Sequence, residues 1–213
     1  MSVEPEDALD AEDATLVRAV DDEMAGAVQR AGPLFACGPG RTDCCRGPFP
    51  INLLDARRLQ RGLEALARAS PERSAAARAR AEKAVARLAP GFPGNASSGL
   101  LTGDEGAEEA FARSHAVEPC PTLDPATGLC DLYEWRPLAC RTLGPPVRIG
   151  ETDLAPCPYC FRDAPPADIE RCRARPDPEG REDAIVAELE RRLGLRGDTI
   201  IAFALAGLPP ALG

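Results

Sequence analysis

EPCPTLDPATGLCDLYEWRPLACRTLGPPVRIGETDLAPCPYC, from Glu118 to Cys160, is the stretch that decides how this chain is read. It sets Cys120, Cys130, Cys140, Cys157 and Cys160 among prolines, glycines and aspartates, and it holds the only tryptophan, Trp135, and both tyrosines, Tyr133 and Tyr159. Turn residues recur throughout and no helical or alternating period is sustained, so this stretch needs something other than a regular apolar face to fold around. Upstream, FACGPGRTDCCRGPFPI, from Phe35 to Ile51, adds Cys37, Cys44 and Cys45. Of the nine cysteines only Cys172 lies outside these two clusters.

A thiolate is a soft anionic donor, and four of them suit tetrahedral zinc or one iron-sulfur cluster. The spacings are Cys37-x6-Cys44-Cys45, then Cys120-x9-Cys130-x9-Cys140-x16-Cys157-x2-Cys160. Only the last pair has the gap of a zinc knuckle. Adjacent side chains on extended backbone point to opposite sides, so one metal takes only one of Cys44 and Cys45, or two neighbouring sites take one each. The eight clustered cysteines fit two four-ligand sites or one larger cluster. A reversibly oxidised dithiol and plain buried thiols are the competing readings. Between Cys120 and Cys130, Asp124-Pro125-Ala126-Thr127-Gly128 predicts a reversal across which the two cysteines face one another.

The pattern resembles the YkgJ-like cysteine-cluster family, described as zinc- or iron-chelating. Its succession is a first cysteine, a double cysteine, CP-x-L, a glycine turn, C-x-x-Y-x-x-RP-x-x-CR and a late cysteine. Here these are Cys37, Cys44-Cys45, Cys120-Pro121-Thr122-Leu123, Gly128, Cys130 through Tyr133 and Arg136-Pro137 to Cys140-Arg141, and Cys157. The resemblance implies zinc or iron, an iron-sulfur cluster included, held by Cys37, Cys44, Cys45, Cys120, Cys130, Cys140 and Cys157. Many relatives have a further cysteine near the first, which this chain lacks; Cys160 is the candidate eighth ligand. Arg136 and Arg141 are the candidate cofactor-binding residues, because guanidinium groups offset the negative charge of a thiolate centre. The alternatives are that one or both pair with Glu134 or Asp131 or cap a helix end, or that they bind an anionic substrate beside the metal.

The net charge of -9 argues against nonspecific nucleic-acid binding, which requires a basic face. The acid concentrates in residues 4–23 and the base in residues 57–87, so an acidic arm on a basic helical pair is expected. Residues 1–13 lack the basic start and apolar run of a secretory signal, and no apolar stretch approaches the ~20 residues that span a bilayer. The reading is a cytoplasmic protein without membrane contact, in whose reducing surroundings clustered cysteines are ligands or redox thiols rather than structural disulfides.

The expected fold class is mainly α, with helices around an irregular, loop-rich cysteine-cluster core. Residues 1–13 read as an acidic flexible tail and 14–175 as the metal-binding domain with an inserted helical hairpin. Residues 176–213 read as a C-terminal helical segment on the core. Periodicity and caps predict helices over 14–31, from the Asn52 cap, from Ser70-Pro71 to Leu88 as a solvated arm, from a Thr102/Glu105 capping box, and over 181–193. Residues 165–180 read as a loop. The apolar segment 199–208 should pack on the core or on a partner protein, a second copy included. His115 reads as a cation at a helix end, and Tyr133 and Trp135 as packing residues.

No histidine pair, phosphate loop or nucleophile elbow is present. Two functions follow: a zinc or iron site that is structural or stored, or an iron-sulfur centre that moves electrons or supports modification chemistry. The resemblance admits the second through the cysteine-rich part of flagellin lysine methylases.

Overall fold

The computed structural model describes residues 5–209. In chain order it forms α1 (Pro5–Ala31), β1 (Pro50–Ile51), α2 (Leu53–Ala69), α3 (Pro71–Leu88), β2 (Gly94–Asn95), β3 (Leu100–Leu101), α4 (Glu105–Ser114), α5 (Leu138–Arg141), β4 (Val147–Ile149), β5 (Thr152–Leu154), α6 (Pro166–Arg171), α7 (Arg181–Leu193), β6 (Thr199–Ile200) and α8 (Ile201–Leu205). The protein is mainly helical, and its strands form antiparallel two-stranded pairs, β1 with β6, β2 with β3 and β4 with β5. Two compact units emerge, drawn differently from the expected segments. One joins the chain up to Gly38 with Leu138–Leu189; the other joins Pro39–Pro137 with the chain from Glu190 onward.

In the first unit α1 buries Leu9, Leu16, Val20, Met24, Ala27 and Ala31 along one stripe. The stretch 1–13, expected as a loose tail, is therefore helical from Pro5, while residues 1–4 lie outside the described residues. Leu9 extends the buried stripe by two turns, and acidic residues near a helix start favour its dipole. Residues 165–180 contain α6, which contacts α1, so the expected loop is partly helical and Cys172 at its end is fully buried.

In the second unit Asn52 caps α2, its Oδ1 accepting from the Asp55 amide at 2.9 Å, and α2 buries Leu53, Leu54, Leu59 and Leu63. Such a cap contributes about 1 kcal/mol. The α3 helix is no solvated arm. Its Ser74, Ala77, Ala81, Ala84 and Leu88 are buried, and it packs on α2 and α8. Alanine is too small to read as an apolar face, yet it lets helix backbones approach closely.

The predicted capping box falls two residues early. Asp104, not Thr102, caps α4, accepting from the Ala107 amide at 3.1 Å. Thr102 is spent on the β2–β3 turn, where its amide and hydroxyl both donate to the Pro93 carbonyl. Segment 199–208 packs on the core as β6 and α8. Phe203 is fully buried there, stacked on Phe92 with ring centroids 4.4 Å apart.

Candidate metal centre

The second unit gathers four cysteines. The loop before β1 meets the loop after α4 through an antiparallel bridge at Arg46 and Pro119, where Gly47 N–H donates to Glu118 O at 2.7 Å and Cys120 N–H to Cys45 O at 2.9 Å. Gly47 sits at φ +75°, a turn that residues with a Cβ rarely adopt. Cys45 and Cys120 thereby lie across one backbone hydrogen bond, although 74 residues separate them.

The predicted reversal between Cys120 and Cys130 is present. Asp124 carboxylate oxygens accept from the Ala126 amide (3.0 Å) and the Thr127 hydroxyl (2.8 Å), which holds this carboxyl below the usual range. Gly128 at φ +69° closes the turn with its N–H on Asp124 O. Asp131 N–H donates to Thr122 O at 2.8 Å, so residues 122–123 and 130–131 run side by side. Both sulfurs reach one hydroxyl: Cys120 Sγ lies 3.1 Å and Cys130 Sγ 3.3 Å from Thr122 Oγ1, and Thr122 is buried.

Cys44 and Cys45 depart from the expected opposition. They sit in a turn, with Cys45 N–H donating to Thr42 O at 2.9 Å, and their side chains hydrogen-bond to each other. The bond from Cys45 holds the Cys44 thiol down at about 6. Cys45 itself is pushed up, first by that bond, then by desolvation and by the sulfurs of Cys44, Cys120 and Cys130. Burial pushes Cys120 up as well.

The first unit carries Cys37, Cys140, Cys157, Cys160 and Cys172. The Cys157–Cys160 segment is a tight turn, with Cys160 N–H on Cys157 O at 2.8 Å and Phe161 at φ +56° beyond it. Cys160 and Cys172 are buried in one cluster with Ala31 and Phe161, and Cys157 packs against it. Cys140 is half-buried on α5, and Cys37 is exposed.

Both candidate arginines have partners in the structure. Arg141 is buried, its Nη1 donating to Asp21 Oδ2 of α1 at 2.6 Å. Arg136 donates to the Tyr133 carbonyl at 2.9 Å and lies over the Tyr133 ring at 3.9 Å. Asp131, one of the alternative partners of these arginines, is held by Arg73 and Arg80, contacts that sequence separation concealed. Trp135 packs on α2, where a Cβ on Gly62 would collide with its Cβ and Cγ. His115 caps the end of α4 against Phe111, at 4.7 Å between ring centroids.

The Cys44, Cys45, Cys120 and Cys130 sulfurs fit zinc or an iron-sulfur cluster in number and softness. Cys44 and Cys45 hydrogen-bond to each other, while Cys120 and Cys130 each hydrogen-bond to Thr122. Among the described residues, no group of three or more His, Cys, Asp or Glu side chains is placed so that it could hold a metal ion. A cleft beside Cys120, lined by Pro48, Ala84, Leu88, Pro121 and Ile201, has a volume of about 20 Å³, room for a water and not for an organic substrate.

These features define a class: a mainly helical protein with eight of its nine cysteines outside the helices and Cys140 on α5. No family profile, no curated protein and no solved structure matches the chain. The family resemblance rests on the sequence pattern of the cysteines with the CP-x-L, glycine-turn and C-x-x-Y-x-x-RP-x-x-CR motifs. Among the described residues, no helix is long and apolar enough to cross a membrane.

Proposed function

We propose that this is a cysteine-ligated metal-binding protein of the YkgJ-like kind, with Cys44, Cys45, Cys120 and Cys130 holding one zinc ion or iron-sulfur cluster. The observation that carries this reading is the convergence of Cys120 and Cys130 on Thr122 beside Cys45, with the Cys45 and Cys120 backbones directly bonded. Folding has brought together thiols from two distant loops rich in turns. When bound, the metal cross-links these loops, a role that contributes folding free energy outright. The thiols supply the ligands, and the backbone bridge at Arg46 and Pro119 fixes their spacing.

Cys37, Cys140, Cys157 and Cys160 form the second ligand set in this reading, built on the Cys157–Cys160 turn. All nine cysteines are free thiols, which suits a reducing compartment such as the cytoplasm. The narrow cleft beside Cys120 favours a structural or stored metal over catalysis at that place.

Absorption spectroscopy on protein purified without oxygen, with elemental analysis of the same sample, tests the reading. Stoichiometric zinc in a colourless protein supports a structural or zinc-handling site. Iron with acid-labile sulfide and broad visible absorption supports a cluster. A chain with neither metal that also fails to take them up when reduced refutes it.

A further inference from the structure

Arg73, Arg80 and Arg87 stand seven residues apart on α3. Seven residues advance a helix by just under two turns, so the three form a row along one side. Each of them ends on the loop that carries Cys120 and Cys130. Arg73 donates from Nε and Nη2 to Asp131 Oδ1 at 3.0 and 2.7 Å. Arg80 Nη2 donates to Asp131 Oδ2 at 2.6 Å, and its Nε to the Pro121 carbonyl at 2.9 Å. Arg87 Nε donates to the two Glu118 carboxylate oxygens at 3.1 and 3.2 Å. Asp131 follows Cys130 directly, Pro121 follows Cys120, and Glu118 precedes Cys120 by two residues.

Exposed ion pairs ordinarily contribute little. This one differs, because the Asp131 side chain is only 3% exposed and each of its oxygens is bound by a guanidinium group. We propose that the arginine row of α3 positions the cysteine loop for its metal, with Arg80 as the central positioning residue. Arg80 alone binds beside both cysteines. The proposal rests on the metal site argued above. Four thiolates repel one another, and a loop free to spread must be reordered each time it closes on a cation. The row fixes the backbone next to Cys120 and Cys130 beforehand, so less ordering is left for the metal to drive.

The test is zinc release from the zinc-loaded full chain to a chromophoric chelator, followed in the release phase that Cys120→Ser abolishes. Arg80→Ala is expected to speed that phase ~10-fold or more, the effect typical of outer-shell partners. Arg73→Ala should act less. Arg78→Ala, which removes the same charge from an exposed position about 200° round the helix, should match the wild type. Arg80→Lys should recover only part of the effect, because an ammonium cannot span two acceptors as the guanidinium fork does. Metal-free melts of the same variants separate this from general destabilisation, and Asp131→Asn replaces Arg80→Ala if the latter does not fold. Wild-type release from Arg80→Ala, or equal effects of Arg80→Ala and Arg78→Ala, overturns the row's role while leaving the metal site standing. A wild-type chain that takes up no zinc and no iron overturns both.

Discussion

The Cys45 thiol donates to Cys44, and this makes Cys44 the sulfur that ionises first, at about 6. Cys44 is also exposed. In reduced, metal-free protein at about pH 7 it is mostly thiolate and should alkylate fastest of the nine; near pH 5 it is protonated and slow. Cys45→Ala removes the donor and should move the Cys44 midpoint up toward an ordinary thiol. Mass spectrometry of alkylated peptides across pH measures this, and a Cys44 midpoint above about 8 in the unaltered chain contradicts it. A second residue-scale consequence concerns Gly62, against which Trp135 rests. Gly62→Ala should displace the indole, costing about 1–3 kcal/mol in denaturant melts and shifting Trp135 emission to the red. At this scale the cysteines and the Asp124–Gly128 turn were legible, because thiols and turn residues carry their chemistry in their identity. The holding of Asp131 by Arg73 and Arg80 was not, since it joins residues 58 and 51 positions apart.

Among the elements, α2, the bounds of α3 and α7 followed from caps, a proline at the first turn and apolar spacing. The role of α3 did not. Its buried face is made of Ala77, Ala81 and Ala84, and alanine also populates exposed helix surfaces, so periodicity carries almost no signal there. The close packing of α3 on α2 and α8 gives a test. Ala81→Leu should overpack the face and cost about 1–3 kcal/mol, whereas Ala79→Leu, on the exposed side, should stay within about 0.5 kcal/mol of the wild type. Urea melts decide it, and equal stability of the two variants contradicts the assignment of α3 to the core. The misplaced cap of α4 has a similar cause. Thr102 and Asp104 are both good capping residues, and only the β2–β3 turn shows that Thr102 is already used.

At the scale of the whole molecule, the mainly helical class was readable from composition and periodicity, but the division into units was not. Residues 138–189 return to the N-terminal helix, as in the Arg141 to Asp21 pair across 120 positions, and a reading along the chain cannot see such a return. That division also sorts the cysteines, with Cys44, Cys45, Cys120 and Cys130 in one unit and the other five in the second. The metal site argued from this sorting is tested most directly by cobalt(II) titration of the reduced, metal-free chain. Cobalt bound by these thiolates should show the intense visible bands of a tetrahedral site, diminished in Cys120→Ser and displaced by zinc. Only the weak spectrum of hydrated cobalt, with Cys44, Cys45, Cys120 and Cys130 alkylated as fast in its presence as without it, would contradict it.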